Sequence, residues 1–500
     1  MAIERKENDT FSGGLNCQFN ATVGHNGSGT AEGEPRSNID YVNGFSSATL
    51  KLIDVAIESQ EVYLSLDYLI YPICFNMRHA VELQLKKVWK DLEDLSVYRQ
   101  VVLTDHRDEK IRLDPSKRGK LEPFPAIEEA STHDLSKIWA LIEEYAPLID
   151  RRFVKFIELL TPFISDIAAI DPTGQTFRYP ACNTSQVHLV DTPIINIKIL
   201  KVRFTNLIEI LRYLEDTSEQ MKYEYSWATI TKNLSHYDLI QCAHHFASFI
   251  DCGTPYPIAA KESTQSTYSI GSNEYSKVVK IVSKNKAINN VIGNDNLPDY
   301  LDFDSICTLL DQLDKVYSID EYREQHTKEP TWSVFDFSSF SGEDMIKEMT
   351  IKRDAIKDLS TTLSKEQIAE IFALYEFYKQ HCYFEIFQKL LEENIGELTS
   401  YKKKEQEQEQ DYIDFIYHFF EKTNLLKNML SSMYMLNMKV LVNQIVEKYQ
   451  LSEVRWYKKL ISGVIKDGLS EYCQFNSKIE KLNEITNECR AAIKVMRLPG

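Results

Sequence analysis

Four ionisable side chains lie close together within the otherwise apolar residues 71–86, and their types could support chemistry. Arg78, Glu82 and Lys86 recur every four residues, which places them on one side of a predicted helix, and His79 lies three residues before Glu82. Burying such groups beside a hydrophobic core costs free energy unless they are paired with each other. The four residues are therefore either a satisfied series of ion pairs or a functional site.

A long helix must carry these residues, because apolar side chains repeat beside them with helical spacing. Met77, Val81, Leu85 and Val88 recur at intervals of four, four and three residues, which predicts one buried face of a helix over residues 66–95. The low numbers of glycine and proline, 17 and 15 in 500 residues, favour long helices over many short strands. Further helices are predicted over residues 41–59, 135–145, 151–170, 194–221, 364–396, 408–449 and 451–496. The predicted fold class is therefore all-α.

The composition is typical of soluble globular proteins, with 43% hydrophobic and 26% charged residues. The net charge of -17 argues against a generally basic surface for nucleic acid, and it still allows a local basic groove. The polar N-terminus predicts no signal peptide, and no apolar run reaches the roughly 18 residues of a membrane-spanning helix. Nine cysteines without a CxxC pair fit reduced thiols. We therefore expect a cytoplasmic protein with no membrane partner.

A chain of 500 residues is too long for one compact core, so we expect more than one domain. Composition and periodicity predict four regions, which are a Gly/Asn/Ser-rich arm or hairpin over 1–37, a helical domain over 38–221, a mixed helical and loop region over 222–345, and a domain of long helices over 346–500.

Two motifs resemble ligand sites but lack the required spacing. Residues 24–30 are glycine-rich, yet the lysine that a Walker A loop needs is missing, which favours a flexible loop. Histidines and cysteines also recur over residues 236–252, but their spacing matches no familiar zinc pattern, and Ser235 with Asp238 predicts a helix N-cap. The sequence therefore predicts no metal and no cofactor.

A family resemblance includes the charged helix. The segment that runs from Tyr71-Pro72 to Lys86 resembles a helix of the HEPN-like proteins of bacteria. Further matching segments are Asp40–Phe45, His133–Leu135 with Trp139, Asp171, and Phe177–Pro180. The resemblance covers residues 38–215, somewhat over a third of the chain, and its motifs are specific as a set rather than singly.

The resemblance implies an antiparallel helical bundle and a metal-independent ribonuclease of bacterial defence. Cleavage of RNA by its 2'-hydroxyl needs a proton-transfer group, which histidine supplies, and a cation against the phosphate, for which arginine is suited. On this basis, the predicted catalytic residues are Arg78, His79 and Glu82, and the predicted substrate- or phosphate-binding residues are Lys86, His133 and Arg178.

The chain departs from the family's usual catalytic pattern, in which four to six residues separate an arginine and a histidine. Arg78 and His79 are adjacent, so their side chains point about 100° apart on a helix. Arg99 and His106 have six residues between them, but they lie in a charged insertion after the matching helix. The resemblance therefore leaves the catalytic pair open.

Three functional interpretations follow. The leading one is an intracellular phage-defence or abortive-infection effector that acts on RNA, as a homodimer or with subunits of a defence complex. The alternative is a non-catalytic HEPN-like module that binds a nucleotide or a partner protein and regulates or scaffolds such a complex. In the third, the protein is a helical scaffold, Arg78, Glu82 and Lys86 form structural ion pairs, and His79 is a core residue.

Overall fold

The structure is a computed structural model of the chain. It describes residues 38–58, 62–126, 132–181, 187–250, 253–293, 295–316, 318–328, 342–380, 383–401, 406–420, 424–462 and 468–497, together with residues 15, 18, 21 and 23. Every regular element in these ranges is a helix, which confirms the predicted all-α class. The glycine-rich loop at 24–30 and nearly all of the predicted arm lie outside the described residues.

Two compact units divide the chain, one of residues 1–219 with 483–500 and the other of residues 220–482. The helices of the first unit are α1 (Asn38–Glu58), α2 (Val62–Ser96), α3 (Gln100–Leu113), α4 (Leu135–Ile149), α5 (Arg152–Ile170), the first part of α6 (Ile197–Trp227), and the short 3-10 helix Pro115–Lys117.

The second unit is also helical throughout its described residues. It contains the end of α6, then α7 (His236–Ala247), α8 (Tyr256–Ala259), α9 (Lys261–Tyr268), α10 (Ser272–Lys284), α11 (Lys286–Val291), α12 (Phe303–Val316), α13 (Ile319–Thr327), α14 (Gly342–Thr362), α15 (Lys365–Gln380), α16 (Phe384–Ser400), α17 (Gln406–Phe420), α18 (Leu425–Met435), α19 (Lys439–Lys448), α20 (Arg455–Ile461) and the first part of α21 (Gly468–Met496).

Helix α2 is the central helix of the first unit. It packs against α1 and α4, and α4 in turn packs against α5. The apolar face predicted from the sequence is buried, since Val81, Leu85 and Val88 are at most 1% exposed and Met77 is 8% exposed. Removing such a face from water stabilises a helix that propensity alone would leave marginal. The helix therefore supplies both the core and the charged residues of the first unit.

The C-terminal segment belongs to the first unit, whereas we predicted it as part of a domain over 346–500. Within that unit, the buried amide of Asn206 on α6 donates to Thr486 Oγ1 at 3.1 Å. Ile493, about two turns further along α21, is also buried. This docking could not be read from periodicity, because it pairs residues that are 280 positions apart.

The second unit has its own core, which is rich in aromatic side chains. Phe372 stacks on Phe419 with ring centroids 3.6 Å apart, and both rings belong to a continuous buried cluster. Glu370 is fully buried beside them and accepts the backbone N–H groups of Asp299, Tyr300 and Leu301 at 2.8 Å each. The carboxylate thus satisfies the backbone that leads into α12. Within the described part of the chain, no helix is long and apolar enough to cross a membrane.

Candidate functional site

The buried carboxylate of Glu82 binds three basic side chains. Arg78 Nη1 lies 2.5 Å from Oε2, while Lys86 Nζ and His133 Nδ1 each lie 2.7 Å from Oε1. The Glu82 side chain is 3% exposed. Arg78 and Lys86 are one helical turn away on either side, so their contacts follow from the spacing in the sequence. We call these four residues the Glu82 cluster.

Glu82 is ionised at any pH near neutrality. Its burial by itself would raise its pKa, but hydrogen bonds from Lys86, Arg78 and His133 outweigh that effect and lower the pKa from 4.5 to about 2. An ionised carboxylate is an acceptor only, so each of its three partners must present an N–H group to it. Glu82 is therefore the negative centre of the cluster, and it fixes three donors.

Arg78 is held by protein acceptors on every side. Besides Glu82, its guanidinium donates to the backbone oxygens of Asp171 at 3.0 Å, His133 at 2.5 Å and Pro172 at 2.9 Å. Four of its five N–H groups can be used in this way, and the residue is 2% exposed. Arg78 therefore joins α2 to the segments before α4 and after α5, which is a positioning role.

Gly174 makes this arrangement sterically possible. It lies in the segment after α5 and has φ +77°, a left-handed conformation that favours glycine. A Cβ atom placed on it would lie 3.2 Å from both Cζ and Nη1 of Arg78. This segment can thus approach the guanidinium closely only because Gly174 has no side chain.

His133 has an exposed ring that is bonded to a buried carboxylate. Its side chain is 73% exposed although Nδ1 bonds to the buried Glu82, and its backbone oxygen binds Arg78. It directly precedes Asp134, whose carboxylate caps α4 by accepting the N–H groups of Ser136 and Lys137. Because a carboxylate accepts only, Nδ1 carries a proton, and Nε2 of the neutral ring is a proton acceptor that bonds to none of the described residues.

His79 lies in an aromatic stack beside the cluster. Its ring meets Phe45 edge-on at 4.6 Å between centroids and stacks on Phe75 at 5.7 Å. Burial lowers its pKa; Glu82 opposes this effect, and the charges of Arg78, Arg178 and Lys86 add to it. A histidine with a lowered pKa is neutral at pH 7, so His79 contributes packing and no charge.

Arg178 completes the set from the segment after α5. Its Cζ lies 5.2 Å from the centroid of Phe75, which is the ring that stacks on His79. The residue is exposed, unlike Arg78, so its guanidinium is available to a ligand. All six residues predicted from the sequence therefore lie around the middle of α2, two of them brought there from distant segments.

Sequence reasoning did not identify the aromatic stack or the backbone acceptors of Arg78. Phe45 and Phe75 carry no chemical signal in the sequence, and the oxygens of Asp171 and Pro172 belong to the backbone. Sequence reasoning also missed a second histidine–glutamate pair, in which His106 Nε2 lies 2.9 Å from Glu144 Oε1. Lys110 binds the same oxygen, so this pair repeats the chemistry of the Glu82 cluster in the same unit.

The histidine and cysteine residues of α7 have structural contacts. Ser235 and Asp238 form a reciprocal capping box at its N-terminus, as predicted. His236 bonds to the backbone oxygen of Thr229 at 3.0 Å, and His245 bonds to Ser263 at 2.8 Å. Over the described ranges, no group of three or more His, Cys, Asp or Glu side chains is arranged to hold a metal ion.

Comparisons with protein-family models, curated proteins and solved structures find no match for this chain. The function must therefore be argued from the geometry of the Glu82 cluster and the residues around it.

Proposed function

We propose that this chain is a metal-independent ribonuclease of the HEPN type that acts inside bacterial cells as a phage-defence or abortive-infection effector. The observation that carries the proposal is the His133–Glu82 pair, in which a buried ionised carboxylate holds Nδ1 of an otherwise exposed imidazole. Such an arrangement fixes the tautomer of the ring and stabilises the imidazolium that forms when Nε2 takes a proton.

The proposed reaction transfers one proton to His133 and exchanges one bond at phosphorus. Nε2 of His133 takes the proton of an RNA 2'-hydroxyl, and the oxygen attacks the adjacent phosphorus. The bond from phosphorus to the 5'-oxygen breaks, and the leaving oxygen takes a proton from water. The products are a 2',3'-cyclic phosphate and a 5'-hydroxyl, and His133 returns its proton to solvent.

The cations around the pair stabilise the charge that develops on the phosphate. Lys86 keeps 23% of its side chain exposed while it binds Glu82, and Arg178 is exposed. Both side chains can donate to a phosphate oxygen, and neither would leave a buried group unpaired by doing so. Arg78 serves this site indirectly, since it holds the backbone of His133 in place, and His79 supports the Phe75 ring beneath Arg178.

The direct test measures cleavage of total bacterial RNA by the purified chain in EDTA, with the product ends analysed. His133→Ala should reduce the cleavage rate by about 100-fold, the usual contribution of a proton-transfer group, and should lower the thermal midpoint only modestly because Glu82 keeps Arg78 and Lys86 as donors. The same variant should lose phage protection in cells. An unaltered rate in His133→Ala, or no cleavage by the unaltered chain, would reject the proposal.

His106→Ala is the matched control, because it also removes a histidine that binds a glutamate already bonded to a lysine. It should cleave RNA at the unaltered rate. If His106→Ala loses cleavage while His133→Ala retains it, the base belongs to the Arg99–His106 pair, whose spacing fits the family pattern.

A second candidate function is a non-catalytic module that binds a nucleotide or a partner and regulates a defence complex. One observation favours it, namely that Arg78, the arginine of the matching helix, already donates to four protein acceptors. In that case, Arg178→Ala should weaken nucleotide or RNA binding while the unaltered chain shows no cleavage, and His133→Ala should keep full phage protection.

A further inference from the structure

An open cavity lies in the first unit, and Arg78 forms part of its wall. Its volume is about 900 Å³, which is within the range of sites that hold small molecules. It is lined by α5, by α6 with the segment before it, and by the C-terminal end of α21, while Cys74 and Met77 of α2 form part of its wall. All of its lining residues belong to the same compact unit.

The wall of the cavity is predominantly aliphatic. Representative lining residues are Ile167, Ile170, Ile199, Phe204, Leu207 and Ile493. Hydrogen-bonding side chains that could recognise a nucleobase are few among the lining residues, and they lie mainly in the segment that precedes α6. Such a surface favours a hydrocarbon over a base or a sugar, because each apolar group buried there is removed from water.

The cavity also carries a concentration of positive charge. Five basic residues line it against the single carboxylate of Asp166, and they are Arg78, Arg203, Arg490, Lys494 and Arg497. This excess is notable in a chain whose net charge is -17. Charges of one sign collected at a cavity select ligands of the opposite sign.

Two of these cations remain available to a ligand. Arg203 is engaged, since it binds Asp166 at 2.5 Å and lies 3.9 Å above the ring of Phe163. Lys494 and Arg497 are exposed, and neither forms an ion pair with any carboxylate in the described ranges. An anionic group could therefore bind them without displacing a protein partner.

We infer that this cavity binds a small amphipathic anion with a carboxylate head group on a hydrocarbon chain. The chain lies along the aliphatic wall formed by α5 and α6, and the head group binds Lys494 and Arg497. The two cations that bind the head group lie outside the Glu82 cluster, although Arg78 of that cluster forms part of the cavity wall. The aliphatic wall supplies the burial energy, and the cations supply the selection for charge.

The test compares three probes by isothermal titration calorimetry on the full chain, at concentrations below micelle formation. Decanoate carries both the chain and the charge, decan-1-ol carries the chain alone, and adenosine monophosphate is an anion with a nucleobase. Decanoate should bind with a stoichiometry of one, about 10-fold or more tighter than decan-1-ol, and adenosine monophosphate should not bind at this site.

Two variants locate the site. The double variant Lys494→Ala/Arg497→Ala should weaken decanoate binding about 10-fold and leave decan-1-ol binding unchanged. The control, Lys155→Ala/Lys198→Ala, removes two exposed cations from α5 and α6 that do not line the cavity, and it should change neither. Ile199→Trp should fill the cavity and weaken both ligands.

Four results would overturn the inference. They are the absence of decanoate binding, equal affinities for decanoate and decan-1-ol, tighter binding of adenosine monophosphate, and an equal loss of decanoate affinity in the control variant. An equal loss in the control variant would indicate non-specific attraction to exposed cations. Tighter binding of adenosine monophosphate would indicate a nucleotide site.

Discussion

Gly174→Ala tests whether Arg78 is locked between its four acceptors. Gly174 has φ +77°, and an added Cβ atom would lie 3.2 Å from Arg78 Cζ and Nη1. Gly119 is the matched control, because its φ is +73° and nothing lies within 4 Å of the corresponding Cβ position. The free-energy cost of the left-handed backbone is therefore similar in the two alanine variants. They differ in whether the new methyl group contacts the guanidinium of Arg78.

The size of the effect can be worked from these contacts. A left-handed alanine costs roughly 1–2 kcal/mol of unfolding free energy at either position. At Gly174, Arg78 must also shift by a few tenths of an ångström, which weakens bonds of a charged donor worth about 1.5–3 kcal/mol each. We expect Gly174→Ala to cost about 2–4 kcal/mol and Gly119→Ala about 1–2 kcal/mol. In an Arg78→Ala background, Gly174→Ala should lower the free energy of unfolding only by the cost of the left-handed backbone. The coupling energy between the two changes should therefore be about 1–2 kcal/mol.

Urea unfolding followed by far-UV circular dichroism measures these differences. Arg78→Ala identifies which unfolding transition belongs to the first unit, because this change removes a buried ion pair and three hydrogen bonds to carbonyl groups of that unit. Equal losses for Gly174→Ala and Gly119→Ala, together with a coupling energy near zero, would refute the conclusion that Arg78 is rigidly held.

Three further predictions concern pH and two buried acceptors. Because the pKa of Glu82 is lowered from 4.5 to about 2, its stabilisation is present above pH 4.5 and is lost as the pH falls towards 2. Acid titration of unfolding should show a loss of about 3 kcal/mol over this range in the unaltered chain and not in Glu82→Gln. Asp238→Ala should cost about 1 kcal/mol in thermal unfolding, since it removes half of the capping box with Ser235, and an unchanged midpoint would contradict the cap. Glu370→Ala should cost about 3 kcal/mol, because three backbone N–H groups lose an acceptor that is fully buried, and protection of those amides from hydrogen exchange should fall with it.

Much of the fold could be predicted from the sequence because helical periodicity is a local property. The buried face of α2 follows from the spacing of its apolar residues, and Asp134 is recognisable as the cap of α4 from its own sequence context. The attachment of residues 483–500 to the first unit could not be predicted, because no local pattern indicates which surface an amphipathic helix covers. The HEPN-like bundle and the ribonuclease activity stay predictions.

The sequence by itself determined the contacts of Glu82 with Arg78 and Lys86, since side chains four residues apart on a helix are neighbours whatever surrounds them. Only the tertiary structure decided the roles of these residues. His133 reaches Glu82 from 51 positions away, and the backbone oxygens of Asp171 and Pro172 reach Arg78 from 93 and 94 positions away. These contacts bury the arginine among four protein acceptors and give the exposed ring its carboxylate. Contacts over such separations depend on how helices pack, and the spacing of residues along one helix does not specify that packing.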